Sequence, residues 1–211
     1  MAAARKSGPS ASAKKVAPVV KQPRLSRAEA EARLLNATIK LVFSHAPADI
    51  TVHMIAKEAG VHHDYIARYF TSREELLIQT TEIPLSGVRA ETVASQGKNI
   101  RSSISASSPT FQLARLRTQL ISYLLACGVP PQRFAAAQQL LIEDAMGVFV
   151  NPALSTRSKR NFALLGILLM QSMHLMGEVN GMTQQDKDDL TAFILDLANI
   201  TTSVQSSLGW D

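Results

Sequence analysis

Apolar residues along this chain recur three and four positions apart far more often than every second position, which is the spacing of helices rather than strands. Ala28, Ala32, Leu35, Ile39 and Val42 fall on one helical face. Ser26 and Glu29 precede that face with the spacing of a capping box, in which serine and glutamate each satisfy the other's backbone amide. Pro47 closes this first helix. Thr51 is placed to cap a second, carrying Val52, Ile55 and Ala56, and Gly60 supplies a turn. A third helix is predicted over about 63–69. Ser72 with Glu75 opens a fourth, which Pro84 must kink or end. Residues 95–108 are serine-rich and read as a flexible loop.

Pro109 suits the first position of the next helix, with Ser108 as its cap and Gly128 as its stop. Another helix is predicted from about Pro131 to Val150. Two long ones follow, at about 157–179 and 184–208, with Asn180-Gly181 as the turn between them. The first of this pair is apolar nearly all round and should be buried on two sides. The second carries a stripe of Leu190, Ile194, Leu197, Thr201, Val204 and Leu208 on a polar background. The pattern predicts an all-α chain of about nine helices without internal repeats.

Composition is consistent with a sizeable core, since 46% of the residues are apolar. Charge is informative only when divided. The net +5 hides a segment, residues 1–24, that carries six cations and no acid. Beyond it, basic and acidic residues nearly balance. Any general attraction to a polyanion therefore resides in this basic tail, whose composition predicts disorder. Three parts are expected: the tail 1–24, a small helical domain 25–80, and a larger helical domain 81–211. Cys127 is the single cysteine, which excludes a disulfide framework and a cysteine-based zinc site. The apolar stretch Phe162–Met176 is too short to span a bilayer, and the N-terminus lacks a signal-peptide core, so a cytoplasmic protein without a membrane partner is expected.

The stretch "KEAGVHHDYIARYFTSREELL", residues 57–77, reads as a short helix, a glycine turn and a second short helix. Ile55, Ala56, Ala59, Val61, Ile66, Tyr69 and Phe70 are spaced to pack three short helices together. His62, His63, Tyr65, Ala67 and Arg68 are left facing outward, where a recognition helix meets DNA. An imidazole supplies less positive charge at neutral pH than a lysine, so this face should hold phosphate weakly by charge alone. Asp64 lies in the first turn, where an acid is favoured by the helix dipole and can accept from an unpaired amide; the alternative is that it accepts from a cytosine amino group.

The run "TVHMIAKEAGV", the Tyr69-Phe70 pair and "TSREELL" together resemble the DNA-binding domain of the tetracycline-repressor (TetR) family, over residues 27 to 80. "HHD" at 62–64 and Ala67 depart from that family's usual residues. The resemblance implies an N-terminal three-helix, helix-turn-helix domain followed by a helical ligand-binding and dimerisation domain. It also implies a homodimer on a double-stranded DNA operator, released by a small molecule. Thr51, Lys57, His62, His63, Tyr65, Arg68, Tyr69 and Arg73 are the candidate DNA-contacting residues, with Lys57 and Arg73 flanking the groove as phosphate ligands. The basic tail is a candidate supplement to them.

Tyr123, Phe134, Met146, Phe149, Met173 and His174 are the candidates for lining a mostly apolar ligand cavity. Five methionines in the later helices and few aromatics suit a flexible, hydrophobic ligand. His62 and His63 are adjacent and expected to point apart, with His53 on another helix, so no metal site is expected. No phosphate-binding glycine loop, nucleophile elbow or redox pair is present, so neither an enzyme nor a cofactor is expected. One reading of a different class stays open: a helical interaction protein whose helix-turn-helix no longer binds DNA specifically.

Overall fold

The computed structural model of the chain describes residues 25–83 and 109–210. The basic tail, the Ser108 cap, the break at Pro84 and the serine-rich loop lie outside these residues. Among the described residues the fold is all-α. It consists of α1 (Arg27–Ser44), α2 (Val52–Ala59), α3 (Asp64–Phe70), α4 (Arg73–Thr80), α5 (Pro109–Ala126), α6 (Ala135–Met146), α7 (Thr156–Met176) and α8 (Gln184–Ile200). Short 3-10 segments at Pro131–Phe134 and Thr201–Ser203 lead into α6 and out of α8. None of the described helices is long and apolar enough to cross a membrane.

Local chemistry sets most of these boundaries. The Ser26–Glu29 capping box is complete, with the Glu29 amide donating to Ser26 Oγ at 3.2 Å and the Ser26 amide donating to Glu29 Oε2 at 2.9 Å. Thr51 accepts from the Met54 amide, and Gly60 closes α2 at φ 65°, a conformation that only glycine adopts without penalty. Ser72 caps α4 by accepting from the Glu75 amide. Thr183 and Asp186 form a second complete box at the start of α8. That helix ends at Ile200, short of the expected 208. Thr201, Thr202 and Ser203 turn their hydroxyls back onto the carbonyls of Leu197, Asn199 and Ile200, which favours the tighter 3-10 turn.

The buried face of α1 also differs from expectation. Ala30, Leu34, Ala37, Thr38, Leu41 and the expected Val42 are buried, Leu35 and Ile39 are half-buried against the same core, and Ala28 and Ala32 face solvent. Alanine marks a face poorly, and two overlapping stripes were compatible with the pattern. Leu34, at 0% exposure, and Val42 pack with Ile55, Ile66, Phe70, Leu76 and Leu77 into one core. This core does not stop at the small domain. Leu116, Leu120 and Leu124 of α5, together with Phe134, belong to it as well. A second core joins α6, α7 and α8 through Ile142, Phe149, Phe162, Ile167, Ile194 and Ala198.

Candidate nucleic-acid interface

The seven residues of α3 make two turns, and their sides are cleanly divided. Ile66 and Phe70, four apart, are buried against α1 and α4. Asp64, Ala67 and Arg68 are exposed on the far side. Tyr65 and Tyr69, also four apart, lie between, half-buried, with their rings stacked at 5.3 Å and an interplanar angle of 6°. The Arg27 guanidinium sits over the Tyr69 ring at 5.5 Å, so α1 braces this aromatic pair from the side. Lys57 is exposed in the last turn of α2, and Thr51 is exposed while its hydroxyl oxygen serves as the cap. Together these residues expose one rigid corner formed by α2 and α3.

The start of α3 is built differently from the sequence expectation. His63 occupies the capping position and makes no side-chain cap. Asp64 does not accept an unpaired amide. Its carboxylate instead meets His62 Nδ1 at 3.1 Å and His63 Nε2 at 3.3 Å. The Asp64 amide points to His62 Nδ1 at 3.4 Å, so that one ring nitrogen stands within reach of both a donor and an acceptor. The two histidines therefore do not point apart. Their ring centroids are 4.3 Å apart, and the His53 ring from α2 packs edge-on against His63 at 4.8 Å. A carboxylate between neighbouring imidazoles draws both rings to one side of the turn.

Arg73, expected as a phosphate ligand, is committed inside the protein. Its Nε donates to the Ile50 carbonyl at 2.5 Å, one terminal nitrogen donates to the Pro47 carbonyl, and the other donates to Tyr123 Oη at 3.1 Å. A planar guanidinium can serve three acceptors in this way because its donors form a fixed fork. The side chain is only 15% exposed. Arg73 thus ties α4 to the turn before α2 and to α5.

The six residues proposed to line one cavity are distributed over three apolar clusters. Phe134 is buried in the first core and Tyr123 packs at its edge beneath Arg73. Met146 and Phe149 belong to the second. Met173 forms a third with Phe111, and the His174 ring meets Phe111 at 4.4 Å. Of the six, the structure joins only Tyr123 with Phe134, Met146 with Phe149, and Met173 with its neighbour His174. Burial pushes the His174 imidazole down to about 4, and Arg115 and Lys187 act in the same direction. Its buried Nε2 has no hydrogen-bond partner among the described residues.

Sequence reasoning passed over Arg117. This residue is 3% exposed, its Nε donates to the Thr81 carbonyl at 3.2 Å, and Nη1 donates to Gln138 Oε1 at 3.1 Å. Nη2 is buried without a partner among the described residues. Burial lowers its pKa to about 10, with Glu82 opposing the change. The signal was present: Arg117 stands in line with Leu113, Leu120 and Leu124, a cation within an apolar stripe.

Comparison with known proteins agrees with this geometry. Residues 34–80 match the bacterial regulatory proteins described as the tetR family. The HTH-type transcriptional regulator BetI of Agrobacterium fabrum is 29% identical over 112 residues, 52% of this chain. The match covers 54% of that relative, about half its length. Two crystal structures share the fold. A TetR transcriptional regulator from Rhodococcus sp. RHA1 aligns with a TM-score of 0.55 at 17% identity, covering 85% of this chain and 100% of the other. The TetR-family repressor FadR of Thermus thermophilus, in complex with lauroyl-CoA, aligns with a TM-score of 0.51 at 19% identity, covering 78% and 92%.

Proposed function

We propose that this chain, a member of the tetR family of bacterial regulatory proteins by its residues 34–80, is a dimeric repressor that leaves a pseudo-palindromic operator when a small hydrophobic ligand binds its later helices. The observation that carries this reading is the divided α3. One side is locked into the core by Ile66 and Phe70, and the other leaves Arg68 and the Tyr65 edge free to meet a major groove. Lys57 and the basic tail supply phosphate contacts, and His62 and His63 lie at the end of α3 that approaches the backbone. Thr51 and Tyr69 hold these groups in place and meet DNA at the margin. Arg73 is left out of the DNA-contacting set, because its guanidinium is mostly buried and hydrogen-bonded within the protein.

Apolar surface on the last two helices supports the dimer. On α7 and α8, Leu165, Leu168, Phe193 and Ile200 are 44–68% exposed, although α7 has the composition of a helix buried on two sides. Two such helix pairs facing across a two-fold axis would cover them, and they would present two copies of α3 to a two-fold symmetric site. The ligand reading rests on the later helices, where Arg117 Nη2 and His174 Nε2 are buried without partners among the described residues. An unsatisfied buried polar atom is costly, and a polar group on an otherwise apolar ligand is one means of satisfying it.

Gel-shift titrations on DNA from upstream of the protein's own gene, over a range of salt concentrations, test the central claim. Specific retardation is expected, and Arg68→Ala should weaken it by about 1–3 kcal/mol if Arg68 pairs with a guanine. Equal affinity for operator and scrambled duplexes would overturn the reading and favour an interaction protein.

A further inference from the structure

We propose that His62, His63 and Asp64 form a binding site for one divalent transition-metal ion of the zinc class, set at the DNA-facing corner between α2 and α3. One candidate donor atom from each residue lies within 4.8 Å of the other two. The individual spacings are closer still. His62 Nδ1 to one carboxylate oxygen is 3.1 Å, and His63 Nε2 to the other is 3.3 Å. Donors bound tetrahedrally at the usual 2.0–2.1 Å from zinc stand about 3.3–3.4 Å from each other. These two spacings run to different oxygens of the Asp64 carboxylate, so a single donor oxygen has one of them as an edge already, and side-chain rotation must set the other two edges among the three donors. The side chains of His62, His63 and Asp64 are 65%, 44% and 75% exposed, which leaves room for that rotation.

The donor chemistry selects the class of ion. Two imidazoles and one carboxylate suit zinc and its transition-metal neighbours, whereas magnesium and calcium prefer oxygen donors alone. His53 supports the arrangement from the other helix, its ring edge-on to His63 at 4.8 Å, and limits how far that imidazole can swing. The donors are side chains, not the amides of the helix end. The positive end of α3 opposes a cation there, and the Asp64 carboxylate offsets it. Three protein ligands leave the fourth position open to water or to another oxygen donor.

An ion here would have a consequence for DNA that rests on the function proposed above. It would place two positive charges where the sequence supplies imidazoles instead of lysine, and a DNA phosphate oxygen could take the open position. Affinity for duplex DNA would then rise with metal.

Titrating Zn2+ into the full chain in metal-free buffer by calorimetry tests the site directly. One ion per chain with a Kd on the order of micromolar is expected. The His62→Ala/His63→Ala variant should bind at least about ten-fold more weakly, with unchanged circular dichroism and no response to Mg2+ in either protein. The absence of Zn2+ binding in the parent, or equal binding by the variant, would overturn the proposal. The second outcome would place the ion elsewhere, for example at the exposed Cys127. Gel shifts with Zn2+ or a chelator then separate the two claims. Zn2+ binding at these residues with no retardation under either condition would leave the site standing and remove the DNA reading. Specific retardation without Zn2+ binding would do the reverse.

Discussion

Arg73→Ala distinguishes a structural arginine from a DNA-contacting one. The guanidinium makes three hydrogen bonds, to the carbonyls of Ile50 and Pro47 and to Tyr123 Oη, and lies 5.5 Å from the Tyr123 ring centroid. A hydrogen bond from a charged donor contributes about 1.5–3 kcal/mol where water is excluded, and the ring contact about 0.5–1. At 15% exposure, water can reach some of the freed acceptors, so the terms do not sum in full. The Ile50 residue is 1% exposed, and its carbonyl would lose a donor that water replaces poorly. A net destabilisation of about 2–4 kcal/mol is expected, a large share of the roughly 5–15 kcal/mol that holds a typical domain folded.

Urea unfolding of the parent, Arg73→Ala and Arg73→Lys measures this. Lysine keeps the charge but loses the planar fork, so it should recover less than half of the lost stability. A phosphate contact behaves in the opposite way: lysine restores it, and alanine reduces the dependence of log affinity on log salt by about one. Arg73→Ala within about 0.5 kcal/mol of the parent, combined with that reduced salt slope, would refute the structural assignment.

Two further predictions follow from the later helices. His174 is held near a pKa of about 4 in the folded chain, whereas the unfolded chain takes up its proton from about 6.5 downward. Stability should therefore fall as pH drops through that window, and urea midpoints at pH 7 and pH 5 should differ less in His174→Gln than in the parent. Leu168→Asp and Phe193→Asp place a charge on side chains that are 60% and 59% exposed in the single chain, so they should leave its fold intact and yield monomers by sedimentation. A dimer unchanged by both substitutions would move the interface to another surface.

Helix ends were legible in the sequence because they depend on one or two neighbours. Ser26 with Glu29, Thr51, Gly60 and Ser72 all act within four residues of where they stand. The outward side of α3 was legible too, since Ile66 and Phe70 are large and their spacing admits one buried face. What failed depends on residues far apart in the chain. Arg73 finds its acceptors at Pro47, Ile50 and Tyr123, and no local pattern marks a carbonyl as available. The gathering of His62 and His63 on Asp64 is local in sequence but depends on side-chain rotation, which periodicity does not encode. Thr71, at φ 63° between α3 and α4, is similar. A β-branched residue rarely adopts that backbone, and nothing in "YFTSRE" announces it.

Side chains from both sides bridge the boundary expected at residues 80 and 81. Arg73 reaches from α4 to Tyr123 on α5, and Arg117 reaches from α5 back to the Thr81 carbonyl just past α4. Arg133 adds an ion pair to Glu75 at 2.5 Å, and Leu116, Leu120 and Leu124 share the core of Leu76 and Leu77. Close-packed interiors repack between discrete arrangements more readily than they stretch. On the proposed reading, a displacement of α5 therefore cannot be absorbed at this junction and must carry α4, and with it α3. A ligand that meets the unpartnered nitrogen of Arg117 acts on the same side chain that holds the Thr81 carbonyl. It shifts the balance between two subunit arrangements only as far as its affinity differs between them. The residue that couples site to helix is then the buried cation on α5, which lies outside the apolar set first expected to line the cavity.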